Sequence, residues 1–218
     1  MDRTNGITLH ELTKTWPQPG GAERLTVFSG LSHTFPPGSR TAIVGPSGSG
    51  KTTLLQMVAG LEAPDGGFVE APKAPELGYV FQSPALWPHK TVRSNMRYGL
   101  GEHLFSGADP LEEARYRDIL QALELEDLQG KYPATLSGGQ AKRVSLARTL
   151  VTRPSCLLLD EPLGALDGAL KDRVLDFLLE WVHWTEATLL YVTHDHGEAR
   201  RICTRVLEVR DQGLVEVG

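Results

Sequence analysis

The stretch GPSGSGKTT, Gly45 to Thr53, holds the densest chemistry in the chain. It matches G-x-x-x-x-G-K-[ST] in full. Its glycines let the backbone curl so that successive N–H groups point inward at phosphate oxygens. Lys51 is expected to reach the β- and γ-phosphates, and the Thr52 hydroxyl to ligate Mg²⁺. A helix starting at Lys51 adds its positive dipole end. The whole run, Gly45, Pro46, Ser47, Gly48, Ser49, Gly50, Lys51, Thr52 and Thr53, is therefore expected to bind ATP with Mg²⁺.

A second constellation lies at Asp160 and Glu161, after the apolar Leu157 to Leu159. Residues of a strand alternate sides, so the two carboxylates are expected to point differently. Asp160 suits the role of Mg²⁺ partner at the end of a buried strand. Glu161 is then free to accept a proton from an attacking water. His194 closes another apolar run, ATLLYVTHD, at the carboxyl edge where ligands sit in open α/β sheets. A contact to the γ-phosphate is expected of it.

These groups need a frame to hold them. RTAIVG (Arg40 to Gly45) reads as a buried strand feeding the glycine-rich loop. KTTLLQMVAGL reads as the next helix, with Leu54, Leu55, Val58 and Leu61 at helical spacing and Gly60 near its end. Alternating runs at Ile7, Leu9 and Leu12, then Leu25 and Val27, predict strands joined by a turn. ELGYVFQ, SCLLLDEP and ATLLYVTHD supply further strands. From Ser83 to Thr152 the texture is mostly helical. Asp109–Pro110 reads as a helix start, and Leu111, Ala114, Ile119, Leu120 and Leu123 give that helix its apolar side. Leu170, Val174, Leu178 and Val182 mark another helix. RVLEVRDQGLVEVG predicts two strands around a turn at Asp211 to Gly213. Strands alternating with helices imply an α/β fold with a mostly parallel sheet covered on both faces, interrupted by a helical insertion.

The stretch TLSGGQAKR has its own logic. SGGQ is an S-x-x-Q capping box, with Ser137 as N-cap and Gln140 at the third helical position. A cap does not need Gly138 and Gly139, and glycine costs about 1 kcal/mol against alanine in a helix. Bare backbone at a dipole-positive end makes sense where something negative comes close.

With these residues in view, the chain resembles the ATP-binding-cassette family over nearly its whole length. LSGGQ (Leu136 to Gln140) is similar to the family signature, Phe81–Gln82 to its glutamine loop, GALD (Gly164 to Asp167) to its aspartate loop and Thr193–Asp195 to its switch histidine. Ala141 stands where many relatives carry Gln or Glu. The resemblance implies a single cassette domain over 1–218. It would have a P-loop core, an N-terminal antiparallel β subdomain and a helical subdomain at about 84–152. It implies Gln82 beside Thr52 and Asp160 at the metal, Trp16 stacked on adenine, and Lys51, Glu161 and His194 as catalytic groups. It also implies subunits paired head to tail. Ser137, Gly138, Gly139, Gln140 and Asp167 would then act in trans on ATP held by a second, identical subunit.

Composition bounds the rest. In 218 residues, 40% are hydrophobic, enough for a packed core. The net charge of −5 disfavours a sequence-independent nucleic-acid binder. Cys156 and Cys203 have no metal-ligand spacing and read as buried free thiols. No apolar run approaches the ~18 residues needed to span a bilayer, and MDRTNGITLH lacks the apolar core of a signal peptide. A cytosolic chain is expected, with any membrane span supplied by another subunit. Leu86, Trp87 and Pro88 are candidates for docking such a subunit, or for covering the helical insertion's own core. The resemblance favours an importer ATPase that works with a permease at the inner face of the membrane and with a solute-binding protein. Ending near LVEVG, the chain is expected to lack the C-terminal regulatory domain of many sugar and polyamine relatives. An exporter or lipid-trafficking ATPase, or a soluble non-transport cassette, are the alternatives.

Overall fold

The structure, a computed structural model, describes residues 6–18, 20, 23–100, 110–166 and 168–217. Two sheets carry it. A three-stranded antiparallel sheet has the order β2-β1-β4, with β1 at Ile7–Pro17, β2 at Arg24–Phe35 and β4 at Gly66–Glu70. A six-stranded sheet has the order β5-β6-β7-β3-β8-β9. Its strands are β3 (Arg40–Val44), β5 (Leu77–Val80), β6 (Cys156–Asp160), β7 (Thr188–Val192), β8 (Arg205–Arg210) and β9 (Gly213–Glu216). Only β9 runs antiparallel to its neighbour.

The apolar runs explain why this sheet is central. Side chains alternate faces along a strand, so a strand buried on both faces must be apolar throughout. Ala42, Leu157, Leu159, Leu189 and Tyr191 join one core. Ile43, Leu158, Leu190 and Val192 join the other. The first core is closed by helices α4 (Gly138–Leu150), α5 (Gly168–Thr185) and α6 (His196–Ile202). The second is closed by α1 (Lys51–Val58) and the antiparallel sheet, through Leu54, Leu55, Ile7, Phe28 and Phe35.

Helices α2 (Val92–Arg97), α3 (Pro110–Ala122) and α4 all lie between β5 and β6. Asp109 falls outside the described residues, so its part in starting α3 is not described. Ile119, Leu120 and Leu123 are buried as the helical pattern predicts, whereas Leu111, in the first turn of α3, is exposed. Leu61 also departs from expectation. Helix α1 stops at Val58, Gly60 takes φ 70, and Leu61 donates its N–H to Gln56 O while Gly60 donates to Met57 O. That is a Schellman ending, and it leaves Leu61 exposed. β4 was not foreseen: GGFVE opens with two glycines and its Phe68 is exposed, so it carries almost no burial pattern. At the last turn Asp211 and Gln212 both have positive φ (49 and 62), as a two-residue hairpin turn requires.

Candidate functional site

Strand register brings the separate motifs to one edge. Ile43 pairs with Val192, and Val192 pairs with Asp160, so these three form a row across β3, β7 and β6. Gly45, Glu161 and His194 each lie one or two residues beyond that row, at the carboxyl ends of the parallel strands. This is where the loop, the carboxylates and the histidine were expected to meet.

The loop after β3 is built by its glycines. Gly50 is the N-cap of α1 with φ 104, and a Cβ there would fall 2.2 Å from Val27 Cγ1. No side chain fits in that conformation and space. Gly48, with φ 79, faces open space. Lys51 is buried, and its Nζ donates to the carbonyls of Gly45 and Pro46, both at 2.8 Å. Burial lowers its pKa, while the charges of Glu161 and Asp160 pull it back up. The Ser49 hydroxyl is buried without a hydrogen-bond partner.

Asp160 is 1% exposed, and neither of its carboxylate oxygens has a hydrogen-bond partner. Burial is the main cause that raises its pKa, helped by the Glu161 charge and opposed by Thr52, Lys51 and Tyr79. The Thr52 and Tyr79 hydroxyls stand beside it without closing a well-formed bond. A buried, unpaired carboxylate next to a threonine hydroxyl fits a hard divalent cation that keeps water and phosphate oxygens as its other ligands. Among the described residues no group of three or more His, Cys, Asp or Glu could hold a metal ion.

Glu161 departs from its expected placement on the strand. β6 ends at Asp160, and Glu161 takes φ 46. Glu161 is thus placed by a backbone that breaks into the left-handed region, not by continued strand alternation. That conformation costs a non-glycine residue roughly 1–3 kcal/mol and persists only where its surroundings fix it. Its N–H donates to Val192 O at 2.9 Å, and Lys142 Nζ donates to its carbonyl at 2.9 Å. Its side chain sits between two predicted site residues: Gln82 Nε2 donates to Oε2 at 3.2 Å, and His194 Nδ1 lies 3.5 Å from Oε1. His194 itself is largely exposed. Behind it, buried Glu198 accepts from Tyr191 and Thr193, both at 2.8 Å, and pairs with Lys171.

The capping box at the start of α4 is complete: Ser137 Oγ accepts from Gln140 N at 3.2 Å, and Gln140 Oε1 accepts from Ser137 N at 3.0 Å. The two glycines differ. Nothing lies within 4 Å of a Cβ added at Gly138, whereas one at Gly139 would stand 2.8 Å from Ala165 O. Gly139 therefore has a reason within its own chain, and Gly138 does not. Asp167 lies outside the described residues.

Trp16 is half-exposed near the end of β1, with Lys14 Nζ 4.7 Å from its ring. Leu86 packs against the helical core. Trp87 is held between Tyr98, 4.3 Å between ring centres, and the Arg148 guanidinium at 4.7 Å. Buried Asn95 braces that turn through Trp87 N, Trp87 O and Lys90 O. Of the three apolar candidates, Pro88 is exposed. Sequence reasoning missed Tyr79, Asn95, Lys142 and Glu198. Tyr79 alone had a signal, since it alternates with Val80 in an otherwise apolar strand.

The ABC transporter family model matches residues 28–164. The chain is 40% identical to the sulfate/thiosulfate import ATP-binding protein CysA of Synechococcus elongatus, over 99% of this chain and 62% of that protein. It is 38% identical to the Fe(3+) ions import ATP-binding protein FbpC of Pseudomonas fluorescens, over 98% of this chain and 61% of that one. It thus spans about three fifths of the length of these curated relatives. Among solved structures it resembles the dimeric post-hydrolysis state of the ATP-binding cassette MJ0796 bound to ADP and Pi. That match has a TM-score of 0.84 and 30% identity, and covers 97% of each chain.

Proposed function

The chain belongs to the ABC transporter family, and on that premise we propose that it is the ATP-hydrolysing subunit of an importer. Two copies would close over two ATPs and drive a separate permease. The observation that carries this reading is the placement of Glu161, braced on its backbone and flanked by Gln82 and His194, beside the loop of Lys51.

The roles follow from chemistry. Backbone N–H groups from Gly45 to Thr53 and the start of α1 cradle the phosphates, and Lys51 turns from its own loop carbonyls to the β- and γ-oxygens. Thr52, Asp160 and Gln82 would hold Mg²⁺, which neutralises charge on the phosphates when bound. Glu161 orients water and accepts its proton. His194 donates toward the γ-phosphate, and Trp16 stacks on adenine. Because phosphoryl transfer needs charge stabilisation more than covalent help, most of the rate comes from these fixed dipoles and cations.

Gly138, with open space above it, would let the partner's γ-phosphate approach the start of α4, with Ser137, Gly139, Gln140 and Asp167 around it. A C2 pair makes both sites equivalent. None of the described helices is long and apolar enough to cross a membrane, so the permease would hold the subunit at the inner face of the membrane, near Pro88 and Trp87. A solute-binding protein would deliver cargo on the other side. Import is supported by the import ATP-binding proteins the chain resembles. Co-purification from native membranes, followed by reconstitution in liposomes, tests it. Solute should accumulate on the ATP-containing side, whereas movement out of that side would mark an exporter.

A further inference from the structure

The geometry points to Lys142 as a positioning residue for Glu161, one that fastens the helix bearing Ser137–Gln140 to the carboxylate beside the phosphate loop. This rests on the reading of Glu161 as the base. Lys142 lies on α4, within a turn of Gly138 and Gly139, and its Nζ donates to the Glu161 carbonyl at 2.9 Å across 19 residues of sequence. Glu161 keeps a left-handed backbone, φ 46. Its N–H is held by Val192 O on the neighbouring strand, and its carbonyl accepts from Lys142 at 2.9 Å and, at the longer 3.4 Å, from Gly164 N in its own turn. A charge-assisted bond is the stronger kind, and here it is the shorter of the two that hold the end of the peptide the sheet does not. The side chain of a residue with both peptide groups fixed has little freedom except its own rotamers.

A second contact joins the same two segments independently. A Cβ at Gly139 would lie 2.8 Å from Ala165 O and 3.5 Å from Leu166 Cδ2. Ala165 and Leu166 belong to the turn that follows Glu161. The first turn of α4 is thus packed onto Glu161's own loop at Gly139 and hydrogen-bonded to it through Lys142. Any displacement of the α4 start on meeting a partner's nucleotide is passed to the Glu161 carbonyl. Engagement at one site and alignment of the base at the other become one mechanical event.

The test compares Lys142→Met, which keeps the stem and loses the charge, with Lys142→Arg, which keeps a donor, each alongside Glu161→Gln. Steady-state ATP turnover, the KM for ATP and thermal midpoints are read. Lys142→Met should lower kcat roughly ten- to hundredfold, the scale of an ångström's misplacement, with KM and midpoint unchanged. Lys142→Arg should restore most of it. Wild-type kcat in Lys142→Met, with Glu161→Gln inactive, overturns the positioning role and leaves the base in place. A fall in kcat together with the midpoint, not rescued by arginine, makes the lysine merely structural and also overturns it. Full turnover in Glu161→Gln removes the base reading itself, and this inference with it.

Discussion

Replacing Gly138 by alanine separates what the signature glycines do for folding from what they do for nucleotide. Gly138 is the first residue of α4, exposed, with nothing within 4 Å of an added Cβ. A methyl group there meets no clash in the single chain, and it removes the backbone entropy that glycine loses on folding. The change should stabilise by up to about 1 kcal/mol, and less at a first-turn position. For a domain of this size that raises the thermal midpoint by about 1–3 °C. Gly139→Ala is the internal control. Its Cβ would press to 2.8 Å on the Ala165 carbonyl, a backbone atom that cannot swing aside. Overpacking of that kind costs about 1–3 kcal/mol and should lower the midpoint by several degrees. Turnover should show no such contrast. If bare backbone at Gly138 admits a partner's γ-phosphate, its methyl group fills that approach and hydrolysis falls sharply despite the more stable fold. Midpoints by calorimetry and turnover by phosphate release settle the matter. A Gly138→Ala chain with wild-type turnover would refute the reasoning, as would one less stable than Gly139→Ala.

Three other outcomes follow from the same geometry. Burial raises the Asp160 pKa above its ordinary value of 3.8, so its stability contribution is fully present below that pH and is lost as pH rises through the raised folded value. Asp160→Asn should therefore be more stable than wild type without nucleotide at neutral pH, with the gain shrinking in acid, and should lose Mg²⁺-dependent hydrolysis; denaturation against pH would expose an error. Burial pushes the Cys156 thiol up to about 12 and raises that of Cys203 as well, so neither should react with a thiol reagent until the chain is denatured. Trp16→Ala should weaken ATP binding roughly fivefold, the low end for an aromatic under a base, with kcat unchanged, as a titration at fixed Mg²⁺ would register.

The parts of this site that depend on local chemistry were legible in the sequence. GPSGSGKTT declares its own curl, and the apolar runs of β3, β6 and β7 declare strands buried on both faces. The start of α4 was readable down to both hydrogen bonds of its capping box. Long-range pairing was not readable: nothing in RTAIV names ATLLYV as its neighbour, yet the Ile43–Val192 and Val192–Asp160 register aligns the whole site. The left-handed backbone of Glu161 escaped too, since glutamate has no preference for it and the causes, Lys142 and Val192, lie elsewhere in the chain. Gly139 looked like Gly138 until the turn at Ala165 gave it a separate reason. β4 hid because an exposed edge strand has no face to pattern.

The central claim is that each hydrolytic site takes its phosphate loop and base from one chain and its α4 start from another. Mixing two inactive variants, Gly138→Ala and Glu161→Gln, tests it most directly. Half of the dimers formed at equal amounts pair one of each, and each such pair contains one site with every native part. The mixture should recover about a quarter of wild-type turnover per chain, as two equivalent sites in a C2 pair require. A mixture as inactive as its two components, with pairing of the two variants demonstrated, would contradict the account.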